Sequence, residues 1–144
     1  MSVRIIIDSS ADLAPGREKN FTVVPLTLRF GEEEYIQGVT ISNHQFYEKL
    51  VECDALPTTS QATPYQFEEF FRRAVDAGDD VVAITLSSKL SGTCQSAQVA
   101  AADFPGRVFV VDSASVTIGM GILAEFALEL VQQGLTAGEI AEKL

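Results

Sequence analysis

The stretch ITLSSKLSGTCQSA, residues 84–97, concentrates hydroxyl side chains where an apolar run hands over to a run of small residues. Ser87, Ser88, Ser91 and Thr93 stand around Gly92. At the start of a helix, such residues place neutral donors beside the unpaired first-turn amides and the positive dipole end. Glycine lets the backbone come close. That combination suits an anionic guest. Lys89 is the one basic residue in these loops, so the guest should carry little charge, a carboxylate rather than a triphosphate. The G-x-x-x-x-G-K-[ST] pattern of a nucleotide-binding loop is missing.

Two other strand-like runs end in the same residue types: Asp8-Ser9-Ser10, and Asp112-Ser113 followed by Ser115 and Thr117. The segment Thr58-Thr59-Ser60-Gln61 precedes a helix and is expected to reach the same edge. Any one hydroxyl is ordinarily a helix cap or turn former; the coincidence of several such loops carries the functional reading. Asp8 and Asp112 are read as acceptors for loop backbone rather than as catalysts. A rival reading is an enzyme acting on a small anionic substrate, with Ser91 or Cys94 as nucleophile. It needs a base within reach, and the single histidine, His44, falls at a helix start with no evident link to these loops. No G-x-S-x-G elbow is present. One histidine and no carboxylate cluster at ligand spacing give no metal site.

The elements that must position these loops follow from periodicity. Residues 3–8 (VRIIID), 81–86 (VVAITL) and 108–111 (VFVV) are continuous apolar runs, as expected of buried strands. Residues 21–30 (FTVVPLTLRF) form another strand, with Pro25 demanding an edge position or a bend. Gly31 and the following glutamates read as a hairpin turn into a short strand at Tyr35-Ile36. Ser42 with Gln45, Thr63 with Gln66, and Thr136 with Glu139 are capping boxes opening helices, Pro64 holding the first helical position of the second. Phe67, Phe70, Phe71, Ala74 and Val75 make an apolar stripe at helical spacing. Residues 56–64 read as a polar loop, 92–102 as a small-residue helix, and 120–133 as a hydrophobic helix ended by Gly134. Strands alternating with helices predict an α/β fold: three layers, a mostly parallel sheet covered on both faces, Rossmann-like.

The 144 residues are of single-domain size, and 47% of them are hydrophobic, enough for a real core. Twenty acids against 10 bases give a net charge of −10, which makes nucleic acid and anionic membrane surfaces poor partners. No apolar run is long enough for a membrane-spanning helix. The opening MSVRIIID lacks a signal-peptide pattern, so a cytoplasmic location with free Cys53 and Cys94 is expected. The last helix has barely begun at Leu144, as in a truncated chain.

Four stretches, IIIDSSADL (5–13), PTTSQATPYQFEEFF (57–71), ITLSSKLSGTCQSA (84–97) and VVDSASVTIGMG (110–121), resemble the DegV family of bacterial fatty-acid-binding proteins, which includes the FakB subunits of fatty acid kinase. The resemblance implies a DegV-type N-terminal α/β domain spanning 1–144 and a binding subunit rather than an enzyme. Such a subunit holds a long-chain fatty acid and presents its carboxylate to a separate ATP-dependent kinase for acyl-phosphate formation, with no cofactor besides the lipid. On the family pattern Thr59 and Ser91 grip the carboxylate, supported by Asp8, Ser9, Ser10, Ser60, Gln61, Ser88, Gly92, Thr93 and Ser113. The buried tail supplies at most about 0.8 kcal/mol per CH₂. Family members are about twice as long, and a second domain closes over the head group. Cys94 stands where the family often has an aromatic residue. Transient membrane contact and self-association through uncovered apolar surface are further expectations, as is a fragment that binds no lipid alone.

Overall fold

The computed structural model describes residues 2–144. Four parallel strands form the central sheet: β1 (Val3–Asp8), β2 (Thr22–Val24), β6 (Asp80–Thr85) and β7 (Val108–Asp112), in the order β2-β1-β6-β7. Register follows the apolar runs, with Ile5 opposite Val82 and Ala83 opposite Val110. Side chains alternate between the two faces of a strand, so each run feeds two cores. On one face Ile5, Ile7, Val82, Ile84 and Val111 pack against α4 (Thr117–Gln132) and α5 (Ala137–Lys143), through Met120, Ala124, Ala127, Leu130 and Ile140. On the other, Ile6, Val81, Ala83 and Val108 meet Phe67, Phe71 and Ala74 of α2 (Pro64–Asp76) and Ala97 and Ala100 of α3 (Thr93–Ala101). The three-layer expectation is met. Ala97 and Ala124 are fully buried, and small residues at such points let helices lie close to the sheet.

Beside this body stands a second sheet, antiparallel, in the order β4-β3-β5, with β3 (Thr27–Phe30), β4 (Glu33–Ile36) and β5 (Thr58–Ser60). Its own small core joins Leu28, Phe30 and Ile41 to Phe46 and Leu50 of α1 (Asn43–Glu52). Two expectations change here. Residues 21–30 are two strands in two sheets, parted at Pro25, which cannot donate to a ladder; β2 closes the edge of one sheet while β3 sits at the centre of the other. Residues 56–64 are not simply a loop, because 58–60 pair with β3, Leu28 opposite Thr59. A Thr-Thr-Ser edge strand has no apolar face, so periodicity gives no sign of it. The hairpin at Gly31 forms as expected, with φ of 58° at the glycine.

All three capping boxes form: the N–H groups of Gln45, Gln66 and Glu139 each donate to the hydroxyl of Ser42, Thr63 or Thr136. Helix α4 starts three residues earlier than its apolar run, at Thr117, whose φ of 55° no helix propensity anticipates.

Candidate functional site

Parallel pairing of β1, β6 and β7 brings their carboxyl ends to one edge, where ligands of open α/β sheets bind. Hydrogen bonds knit the three loops there. Asp8 is buried; its Oδ1 accepts from the Ser10 N–H at 2.9 Å and the Ser10 hydroxyl, and its Oδ2 accepts from the Leu86 N–H at 2.7 Å. Burial pushes its carboxyl above the ordinary range despite these donors. Asp112 is exposed, and its Oδ1 accepts from the N–H groups of Ser88 (3.1 Å) and Ala114 (3.0 Å). Hydrogen bonding from Ser88 holds that carboxyl below the ordinary range. Both aspartates therefore act as backbone acceptors, as the sequence suggested.

The supporting hydroxyls have similar work. Ser9 Oγ accepts the Leu26 N–H at 2.8 Å and donates to Gln37 Oε1 at 2.9 Å, tying the central sheet to the start of the second one. Ser113 Oγ donates to the Ser115 carbonyl at 3.1 Å, and the Ser87 N–H donates to that same carbonyl at 2.8 Å. The Ser10 carbonyl accepts the Thr117 N–H at 3.1 Å. Gly121 lets the loop after β1 lie on α4, since a Cβ there would meet the Asp12 carbonyl.

Ser91 sits at the mouth of α3. Its Oγ accepts the Thr93 N–H at 3.2 Å and lies 2.9 Å from the Thr93 hydroxyl. Thr93 is buried, while Ser91 is half-buried. Thr59 and Ser60 lie exposed on β5. The link between the two segments is Gln61, whose Nε2 donates to Ser96 Oγ at 3.3 Å and whose amide rests on Gly92. Thr59 and Ser91, separated by 32 positions in the chain, are thus each within two residues of that contact. Ser96 was not among the sequence candidates; its one signal is a position one helical turn beyond Gly92. Gln37, which holds Ser9, carried no signal at all. Ser88 contributes its amide at the rim and is exposed.

Cys94 is 2% exposed, out of reach of a substrate as placed. The His44 imidazole is exposed on α1, paired with Glu48. Among the described residues, no group of three His, Cys, Asp or Glu side chains is placed to hold a metal ion. No helix among them is long and apolar enough to cross a membrane.

Two apolar hollows open from the loop after β1. One, of about 610 Å³, is a groove along α4 lined by Leu13, Ile118, Gly121, Ile122 and Phe126, with Arg17 and Glu125 paired at its rim. The other, of about 400 Å³, lies between the two sheets and is lined by Ser9, Val23, Pro25, Gln37, Val39 and Phe70. Their volumes fall in the range of small-molecule sites.

Comparison with known proteins agrees with this fold. A DegV domain-containing protein of Deinococcus radiodurans is 38% identical over 146 residues, covering 100% of this chain and 52% of that protein. The chain spans about half the length of the curated relatives it matches. A fatty-acid-binding DegV family protein from Thermus thermophilus superposes with a TM-score of 0.87 at 35% identity, covering 99% of this chain and 52% of the other. The fatty acid kinase (Fak) B3 protein of Streptococcus pneumoniae, loaded with linoleic acid, superposes with a TM-score of 0.82 at 26% identity, covering 99% and 53%. The family model described as "Uncharacterised protein, DegV family COG1307" matches residues 2–144, and so the chain belongs to the DegV family.

Proposed function

We propose that this chain supplies the carboxylate-gripping half of a fatty-acid carrier, and that the carrier presents the acid's head group to a separate ATP-dependent kinase. The observation that carries this is the contact of Gln61 with Gly92 and Ser96. It sets an exposed hydroxyl strand, Thr58–Ser60, against the N-terminus of α3. Thr59 and Ser91 donate to the carboxylate there, and the α3 dipole favours its charge. The grip is neutral, so the carboxylate oxygens keep their nucleophilic character toward a phosphoryl donor. The tail is assigned to the groove along α4, whose lining includes Ile118, one residue beyond the third hydroxyl loop. Fatty acids in relatives of this fold support the ligand class.

The test is mass spectrometry of an organic extract from freshly purified protein against a matched blank. A stoichiometric long-chain fatty acid is expected. An extract from folded protein with no lipid, together with no uptake of added oleate, removes the reading for this half of the carrier.

A further inference from the structure

Gly92 poses a question that its backbone does not answer. Its φ of −76° and ψ of 4° are open to any L-residue, so no left-handed turn demands glycine. The neighbour does. A Cβ built on Gly92 would lie 2.9 Å from Gln61 Cδ and closer still to its Oε1, so any side chain there would push the end of Gln61 aside. The Gln61 amide therefore lies flat on the one residue without a side chain, and its Nε2 reaches past it to Ser96 Oγ at 3.3 Å. Ser96 is 4% exposed, so the far end of this bridge is anchored in the protein body, while Gln61 itself comes from the exposed edge of the second sheet.

We infer that Gln61 and Gly92 form a latch that positions Thr59 relative to Ser91: the glycine is the seat and the glutamine is the tongue. Strand β5 is three residues long, exposed throughout, and paired on one side only, to β3. Such an edge frays readily. The latch fixes its end at the residue that follows it. Gln61 is a positioning residue in this scheme; the carboxylate is held by the two hydroxyls. The inference rests on the proposed carboxylate grip for its functional consequence, but the latch itself has a readout that needs no ligand.

The experiment compares the unmutated chain with Gln61→Ala, Gly92→Ala and the double variant, by hydrogen exchange and by oleate binding. In Gln61→Ala, amides of Thr58–Gln61 should exchange about tenfold faster, with those of Val81–Thr85 unchanged. Oleate binding should weaken about tenfold in each single variant, and the double variant should be no weaker than Gln61→Ala, because the clash at residue 92 vanishes with the long side chain. Unaltered exchange at 58–61 in Gln61→Ala overturns the latch. So does a Gly92→Ala loss that persists in full on the Gln61→Ala background. Gln61 is exposed, so its variant keeps the fold and the measurement stands even where Gly92→Ala fails to fold. Faster exchange with no oleate binding by the unmutated chain would confirm the latch and overturn the carboxylate reading instead.

Discussion

The Asp8 carboxylate accepts the Leu86 amide proton at 2.7 Å, across the ends of the two central strands β1 and β6. Asp8 is fully buried, and its other oxygen holds both the amide and the hydroxyl of Ser10. One carboxylate thereby shapes two of the three loops at the site edge. An amide in its place offers one acceptor oxygen where two are needed and sets an N–H₂ against a backbone donor. Asp8→Asn should therefore lose about 1–3 kcal/mol of stability, the cost of leaving a buried donor unpaired. Urea unfolding measures it.

The same group gives a pH signature. Its native pKa is raised by burial above the ordinary 3.8, so the folded chain binds this proton more tightly than the unfolded chain does. On Asp8's account, stability falls as pH rises from about 3.8 through the native value. Asp112 acts oppositely: its pKa is lowered by hydrogen bonding from Ser88. Its contribution is complete above 3.8 and is lost as pH falls through the lower native value. Unfolding free energies of Asp8→Asn and Asp112→Asn, followed from pH 3 to 7 (roughly the span over which carboxylates titrate), should differ from the unmutated chain with opposite slopes.

On the proposed grip, Thr59→Ala and Ser91→Ala each remove one donor to the carboxylate. A hydrogen bond to a charged group contributes about 1.5–3 kcal/mol, so each should weaken oleate binding at least tenfold. Isothermal titration reads this directly. Unchanged affinity in the double variant would falsify the grip.

Ile122 is 67% exposed in the groove along α4. An exposed site tolerates substitution within about 0.5 kcal/mol of stability. On the proposed placement of the tail in this groove, Ile122→Asp should leave the melting temperature nearly unchanged and abolish retention of a fatty acid, because a carboxylate beside the tail removes apolar contact and introduces an unpaired charge. Retention at the unmutated level would move the tail out of this groove.

At the opposite end of the central sheet, Asp79 holds Arg4 through two hydrogen bonds and also accepts from Ser2. Arg4 is 43% exposed, so screening trims the contribution of the pair. Asp79→Ala should lower stability by about 1 kcal/mol and leave oleate affinity alone. It serves as the control for stability effects on binding.

Much of this architecture was legible along the chain. The runs at 3–8, 81–86 and 108–111 fold as parallel strands because continuous β-branched residues can be buried on both faces only inside such a sheet. Three capping boxes set three helix starts, because a hydroxyl and a carboxamide or carboxylate three residues apart satisfy first-turn groups locally. The convergence of Asp8, Ser88 and Ser113 on one edge followed from parallel order alone.

Other features had no local cause to read. Strand β5 exists because β3 offers it an edge, and Thr58–Ser60 has no apolar period of its own. Thr117 takes φ of 55° because its N–H and C=O are stitched to Ser10 and Asp12, more than a hundred positions earlier; only surrounding structure can hold a β-branched residue there. Gly92 resembles a turn glycine in sequence, yet what its bare Cα admits is the amide of Gln61, 31 positions before it. The sequence by itself determined the central sheet, its helices and the edge where hydroxyls gather, since periodicity and capping act over a few residues. Tertiary structure alone decided the addition of β5 to the second sheet, the strained start of α4 and the seat of Gln61 on Gly92, because each depends on a close approach between segments whose chain separation carries no local signal.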